Sequence, residues 1–358
     1  MASSGTSRSD SSAASPSPPF PARLVGFFRS LLSDRRVRGL LQLTLSVALL
    51  VWLVSRVGLD VLFDTLAGVS WKWYVPAFLL FLGNIFLRAY RWHLLVSALE
   101  QEVSYGRLVS LYFVGFFFNN FIPSGFGGDV VKVISLQQDQ APGAKALSSV
   151  IMDRLTGLIG SASIALVVLA WNRVQLWFVG STIDLNLPPL IMVAIALISL
   201  GAPVGFLVLR MIDPLELVSK HLPVTRPITT RSGLQTFVRT IRRYPPNALI
   251  KALSVSIPFT IGLVAIQYAI AQALSIAVPF YLFSLFVPVI AIINVLPISF
   301  NGLGVREGVY QFLFVPVGVS SASAIAMSLA FYFLRVTAGL IGGLLYAVKN
   351  IDRIIQDK

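Results

Sequence analysis

The stretch Asn119–Leu136, NNFIPSGFGGDVVKVISL, decides how this chain folds. It follows directly on the apolar run LYFVGFF (Leu111–Phe117), where a membrane helix would be expected to continue. Instead, Pro123, three glycines and two charges, Asp129 and Lys132, stand in its path. Proline in a helix interior removes a backbone hydrogen bond and clashes with the preceding turn, so the segment reads as a break.

The rest of the chain is strongly apolar. Hydrophobic residues make up 56% of it, charged residues only 12%, and the mean hydropathy is +0.81. An ordinary soluble protein carries about 25% charged residues. Apolar runs long enough to cross ~30 Å of hydrocarbon recur along the sequence. Candidate spans are Leu40–Val57, Trp73–Leu95, Leu147–Trp171, Leu190–Leu209, Ile250–Leu274 and Ser323–Val348. Two further apolar stretches, Leu108–Leu136 and Phe280–Val315, are interrupted in the middle. Residues 1–37 are rich in Ser, Pro and Ala and read as a disordered cytoplasmic tail, not as a cleaved signal peptide. There is no cysteine, and the two histidines, His93 and His221, belong to no metal motif. No metal or other cofactor is expected, and the +13 net charge reads as membrane topology, not nucleic-acid binding.

Lys and Arg in short flanking loops mark the cytoplasmic side. Of the 28 basic residues, 21 fall in the N-terminal tail, Arg88–Arg107, Lys145, Arg210–Lys251 and the C-terminus. Arg56, Lys72 and Arg173 fall on the opposite side, and Lys132, Arg154, Arg306 and Arg335 sit inside apolar segments. This separation holds only if each interrupted stretch returns to the side it entered. The expected fold is an all-α polytopic membrane protein with about six full spans plus two re-entrant helical hairpins. The hairpins would enter from opposite faces, and both termini would be cytoplasmic in the cell (inner) membrane.

The interrupted stretches also resemble each other. NFIPSGFGGDVVK (Asn120–Lys132) stands against NVLPISFNGLGVRE (Asn294–Glu307), and downstream RLTGLIG (Arg154–Gly160) stands against RVTAGLIG (Arg335–Gly342). The order of hairpin and then Arg-bearing helix holds twice. With entry from opposite faces, the repeats (about 73–171 and 250–348) form an inverted pair, a common plan of secondary transporters. The transmembrane domain is expected over 38–349, with a basic cytoplasmic loop at 210–250 and a short tail at 350–358.

Burying Arg or Asp at a helix centre costs about 2.5–3.5 kcal/mol on insertion scales. Arg335 lies 12 residues past Ser323 and 14 before Lys349, roughly 18–21 Å of helix on either side, too deep to reach an interface easily. Asp129 and Lys132 share a helix face and can close the hairpin locally. Arg306 and Glu307 are adjacent, so a helix would point them in different directions; Glu307 is one candidate partner for Arg335. Arg88 and Arg91 in FLRAYRWHLL read either as interfacial anchors with Trp92 or as part of a site. Asn120 precedes the break. The loop glycines Gly127, Gly128, Gly302 and Gly304 expose amides at helix starts, which suits an anion; Gly339, Gly342 and Gly343 read as helix-packing glycines. Four buried cations against Asp129, Asp153 and Glu307 suit a phosphate-bearing headgroup.

At these motifs the chain resembles the lysylphosphatidylglycerol synthase transmembrane-region family, also called flippase-like integral membrane proteins. The matching stretches are RAYRW, PSGFGGDVVK, DRLTGL and NGLGVREG, and the resemblance runs from about Arg38 to Val348. It implies movement of lipids with anionic or modified headgroups between leaflets. It also carries a site onto Gly128, Asp129 and Lys132 in the first hairpin and Gly302, Gly304, Arg306 and Glu307 in the second. Lys132 stands where the family more often has Arg, which keeps the charge and loses the bidentate fork. Only ten residues follow Val348, so no fused transferase is expected.

The expected function is a lipid flippase or transporter acting through a site of Arg88, Asn120, Gly127, Gly128, Asp129, Lys132, Arg154, Gly302, Gly304, Arg306, Glu307 and Arg335. No catalytic residue is assigned. Partners are membrane lipids and a lipid-modifying transferase. Two alternatives belong to other classes: a membrane-embedded lipid-modifying enzyme using Asp129, Asp153 or Glu307, and a non-catalytic partner of a lipid glycosyltransferase or aminoacyl-phosphatidylglycerol synthase. The chain has no GxxxxGK[ST] phosphate loop, so any driving energy would come from a gradient, a partner or mass action.

Overall fold

A computed structural model describes residues 59–121, 126–139, 142–179, 189–211, 214–221, 232–294 and 302–356. The tail at 1–37, the candidate span Leu40–Val57 and the two breaks at Pro123 and Pro297 lie outside the described residues, as does part of the basic loop.

The described chain is all α. A short helix α1 (Leu59–Ala67) leads into α2 (Trp71–Ser97), then α3 (Tyr105–Phe121), α4 (Gly127–Gln138) and α5 (Gly143–Val179). A middle section follows, with α6 (Pro189–Ala196) joined through a π-helical turn, Leu197–Gly201, to α7 (Ala202–Met211). It continues with α8 (Pro214–His221) and α9 (Ser232–Arg242). The second half is α10 (Pro246–Ala273), α11 (Phe280–Ile293), α12 (Val305–Phe314) and α13 (Ser321–Gln356).

Four of these helices contain stretches long and apolar enough to cross a membrane: Trp71–Ser97, Gly143–Trp171, Pro246–Ala273 and Ser321–Val348. Together with the inverted polarity of the surface, they make this a polytopic membrane protein. Leu79, Phe86, Val167, Ile261, Phe333 and Leu344 are exposed, whereas Arg91, Lys132, Asp153, Arg306 and Glu307 are buried. A water-soluble fold would place these the other way round.

The two halves have the same order of helix lengths. Helices of 27, 17, 12 and 37 residues (α2 to α5) are answered by 28, 14, 10 and 36 (α10 to α13). Corresponding first helices pack against each other and run antiparallel. The Ser70 amide before α2 donates to the Ala273 carbonyl at the end of α10 (2.8 Å), and Asn84 Nδ2 donates to the Phe259 carbonyl (3.1 Å). Near the other end of α2, Arg91 Nη1 donates to Ser256 Oγ (3.2 Å). The remaining packing is reciprocal: α3 of the first half lies on α13 of the second, and α11 of the second lies on α5 of the first.

Small residues permit the closest of these approaches. A Cβ on Gly342 would collide with the Phe113 carbonyl of α3, and one on Gly160 with the Ser256 side chain of α10. Close backbone contact of this kind is a main source of helix association in lipid, where water drives nothing together. The amphipathic α9 carries Arg239 and Arg242 in its last turn and packs on α5. Beside it, the Tyr244 hydroxyl donates to the Leu95 carbonyl (3.2 Å).

Candidate functional site

The two halves enclose a cavity of about 270 Å³ lined by side chains from both. The first half contributes Asn84, Arg88 and Arg91 from α2, Tyr112, Gly115 and Asn119 from α3, and Gly128, Asp129 and Lys132 from α4. Arg154, Gly157 and Ser161 come from α5. The second half adds Phe259 of α10, Asn294 and Gly302 flanking the second break, and Phe331 and Arg335 of α13. Each set shares a helix face: Asn84, Arg88 and Arg91 recur at four- and three-residue steps, as do Arg154, Gly157 and Ser161.

The cavity's charge is lopsided. Among the described residues, five basic side chains (Arg88, Arg91, Lys132, Arg154 and Arg335) line it with one carboxylate, Asp129. Asp129 pairs with Arg154, and Lys132 Nζ stands 3.7 Å from it. A second carboxylate, Asp153, sits just behind the wall: Arg91 Nε donates to its Oδ1 at 2.8 Å, and the Tyr112 hydroxyl donates to Oδ2. Both members of the Arg91–Asp153 pair are almost completely buried. Gly157 makes room for it, since a Cβ there would meet the Arg91 guanidinium.

Arg88 forms no carboxylate pair among the described residues, and its Nε has no hydrogen-bond partner. Its guanidinium lies 5.0 Å from the Tyr112 ring centroid and 6.0 Å from that of Phe259. Lys132 Nζ lies over Tyr112 (3.4 Å) and Trp92 (5.1 Å), and the Arg154 guanidinium lies 4.3 Å from the Phe126 ring. Rings beneath cations partly replace the hydration that these groups lose in a dry interior.

Of the twelve residues named from the sequence, seven line the cavity: Arg88, Gly128, Asp129, Lys132, Arg154, Gly302 and Arg335. Five do not, each for a physical reason. Asn120 turns its amide towards Gly339 of α13, and Gly127 is buried at the start of α4. Gly304, with φ +80°, forms the N-cap of α12 and donates its amide to Glu307 Oε2 (2.6 Å). Arg306 and Glu307 close on each other: Arg306 Nη2 donates to Glu307 Oε1 at 2.6 Å, and Arg306 Nε donates to Ser328 Oγ at 2.7 Å. Ser328 Oγ in turn donates to Glu307 Oε1 (2.8 Å). Adjacent residues on a helix begin in different directions, but the long guanidinium arm folds back onto its neighbour. Glu307 therefore partners Arg306.

The helix-start amides differ from expectation in the same way. The Gly128 amide already donates to Asn119 Oδ1 (2.7 Å), as that of Gly304 does to Glu307. Side-chain cations, not these amides, are what the cavity offers an anion.

Several residues of this centre lie outside the set expected from the sequence, among them Arg91, Asn84, Tyr112 and Asn119. Arg91 and Trp92 are 1% and 0% exposed, not interfacial anchors. Asn84, Tyr112 and Asn119 went unnoticed because each is neutral. Their signal was helical spacing: Asn84 is four residues before Arg88, and Tyr112 and Asn119 are seven apart with Gly115 between them.

Residues 39–343 match the family described as the lysylphosphatidylglycerol synthase TM region. Among similar proteins, a UPF0104 membrane protein of Pyrococcus horikoshii is 23% identical over 317 residues, covering 81% of this chain and 90% of the relative. A UPF0104 membrane protein of Methanothermobacter thermautotrophicus is 24% identical over 329 residues, covering 84% of this chain and 92% of the relative. With most of its length matched, this chain belongs to the lysylphosphatidylglycerol synthase transmembrane-region family.

Proposed function

We propose that this protein moves a phosphate-bearing lipid between the leaflets of a cell membrane, without chemical change to the lipid. The observation that carries this reading is the cavity between the two halves, whose described lining has five basic side chains and one carboxylate, with Asp153 behind the wall pairing Arg91. The cationic excess that remains in an apolar protein is costly unless a ligand of opposite sign compensates it. A lipid phosphate supplies that charge while its tails stay in the surrounding hydrocarbon.

An alternating mechanism is supported by the repeated order of helix lengths and by the antiparallel α2 and α10. Helices α3, α4, α11 and α12 have 17, 12, 14 and 10 residues, fewer than the roughly 20 needed to span. We read them as two re-entrant hairpins entering from opposite faces, the inverted arrangement in which one half rocks against the other around a fixed site. The basic-residue asymmetry supports cytoplasmic termini. The family's description names a synthase of an aminoacylated lipid, which supports a lipid ligand and a lipid-modifying transferase as a partner.

Transport fits better than catalysis. Asp129, the carboxylate facing the cavity among the described residues, is engaged by Arg154 and Lys132, which commits its oxygens to the protein's own cations. The test is reconstitution into liposomes containing fluorescent phospholipids or polyprenyl phosphates, with accessibility to an added quencher followed over time. Faster exchange than in protein-free vesicles is expected. If no phosphate-bearing lipid moves faster, the reading is wrong. Formation of a modified lipid by the purified protein would replace it with an enzymatic one.

A further inference from the structure

Two carboxylates stand at this centre, and they are held in contrasting ways. Asp153 is locked behind the wall by Arg91 and the Tyr112 hydroxyl, with only 4% of its side chain exposed. Asp129 faces the cavity with 14% of its side chain exposed, and the two cations it engages, Arg154 of α5 and Lys132 of α4, also line the cavity. We propose that Asp129 is an internal competitor of the lipid phosphate: it holds Lys132 and Arg154 while the cavity is empty, yields them when phosphate arrives, and takes them back as phosphate leaves. This inference rests on the transport reading above and adds how the site releases its cargo and resets.

A carboxylate oxygen and a phosphate oxygen offer a guanidinium or ammonium the same charged acceptor, so one can replace the other on the same donors. Arg88 provides a first contact for the incoming phosphate, because it lines the cavity and its Nε has no hydrogen-bond partner. The exchange itself needs only a side-chain rotation. The backbone beneath Asp129 is fixed, since the Gly128 amide donates to Asn119 Oδ1 (2.7 Å) and a Cβ on Gly128 would strike the Gly115 carbonyl of α3. Asp129 lies in the first turn of α4, where the helix dipole favours an anion, carboxylate and phosphate alike.

A carrier that alternates must also return empty, and cations left bare in an apolar interior oppose that step. Asp129 closes on two of them, so the empty cavity keeps part of the compensation that the lipid gives the loaded one. The same competition weakens binding, because apparent affinity scales with the fraction of molecules in which Asp129 has let go. Among variants of one site, weaker binding mostly means faster release.

The experiment measures binding and movement on the intact protein. Short-chain phosphatidylglycerol and inorganic phosphate are titrated calorimetrically in detergent. Tail-labelled phosphatidylglycerol is then followed in vesicles of phosphate-free digalactosyldiacylglycerol. The far leaflet is either free of phosphatidylglycerol, which reads net movement, or holds it unlabelled, which reads exchange. Asp129→Asn should bind phosphatidylglycerol roughly tenfold more tightly, the gain expected if Asp129 lets go in about a tenth of empty parental molecules. It should lose net movement by more than it loses exchange, because only net movement requires the empty return. Asp129→Glu keeps the charge and should behave as the parent does; binding as tight as that of Asp129→Asn would overturn the competition. Unchanged or weaker binding by folded Asp129→Asn overturns it too, and equal losses in net movement and exchange overturn the role in the empty return. If Asp129→Asn folds poorly, added phosphatidylglycerol should raise its melting temperature by more than it raises the parent's; an equal or smaller rise again counts against the proposal. A gain for inorganic phosphate alone would mean that Asp129 competes with a free anion and not with a lipid. Absence of phosphatidylglycerol binding and movement in the parent removes the transport reading, and this inference with it.

Discussion

Arg91 and Asp153 form an ion pair of 2.8 Å that joins the first long helix to the Arg154-bearing helix, with side chains 1% and 4% exposed. Asp153 also accepts from the Tyr112 hydroxyl, and Arg91 donates to Ser256, so the pair ties α2, α3, α5 and α10 together. Removing one member strands the other charge in a dry interior, at a cost of about 3–5 kcal/mol. Asp153→Asn should therefore lower the melting temperature in detergent and reduce the folded yield. The double variant Arg91→Met/Asp153→Leu should recover part of the loss. A single variant that melts like the parent would show that the pair contributes nothing to stability.

Gly342 gives a second prediction, on packing. A Cβ there would run into backbone atoms of Phe113 on α3, and a backbone cannot step aside as a flexible side chain can. Gly342→Ala should cost about 1–3 kcal/mol as an overpacked contact. Gly83 on α2 is the control, because nothing lies within 4 Å of a Cβ added there. Gly83→Ala should be neutral, or stabilising by up to about 1 kcal/mol through helix propensity. Thermal melts of the two variants in one detergent test the contrast. Equal effects would mean that the α3–α13 contact is looser than described.

The sequence disclosed the membrane architecture well and the site only partly, for reasons visible in single residues. Long apolar runs are read directly, because a span must be continuously hydrophobic; the four long helices start within four residues of the expected positions, while α5 and α13 continue eight residues past the expected ends. The helix starts after the breaks were legible from glycine, with α4 beginning at Gly127 and α12 just after Gly304, while Pro123 and Pro297 themselves lie outside the described residues. Charges inside apolar segments stand out because of their cost, which points to Asp129, Lys132, Arg154 and Arg335. The same logic overreached at Arg306 and Glu307: composition shows that a charge is buried, but not whether it meets a neighbour or a cavity. It understated Arg91, whose place beside Trp92 suggested an interface until α5 supplied Asp153. That pairing joins residues 62 positions apart, a separation that no local pattern encodes.

Glu307 tests the distinction between a structural charge and a ligand-facing one. Its two carboxylate oxygens accept from the Gly304 amide, the Arg306 guanidinium and Ser328. Glu307→Gln keeps the shape, but leaves Arg306 buried against a neutral amide and removes an acceptor from the α12 start. A stability loss of about 3–5 kcal/mol is expected, as for other broken buried pairs. The fraction that folds should retain parental affinity for an anionic lipid, because neither residue lines the cavity. Thermal melting together with lipid binding on the monodisperse fraction checks both halves. Normal stability with lost binding would place Glu307 in the site after all.

Arg335 carries the opposite expectation. It lies midway along the span Ser321–Val348 and faces the same cavity as Arg88, Lys132 and Arg154. Arg335→Glu puts a carboxylate among those cations, so the variant should insert and fold. The new carboxylate would then act as a tethered anion competing with the lipid phosphate, and transport should fall to roughly a tenth of the parental rate or less, about 1.4 kcal/mol or more of lost binding. Arg335→Lys keeps the charge but not the planar fork, so it should retain an intermediate rate. Liposome exchange rates normalised to reconstituted protein, with size-exclusion profiles as the folding check, decide the matter. Parental transport by Arg335→Glu would mean that the lipid crosses the protein somewhere other than this cavity.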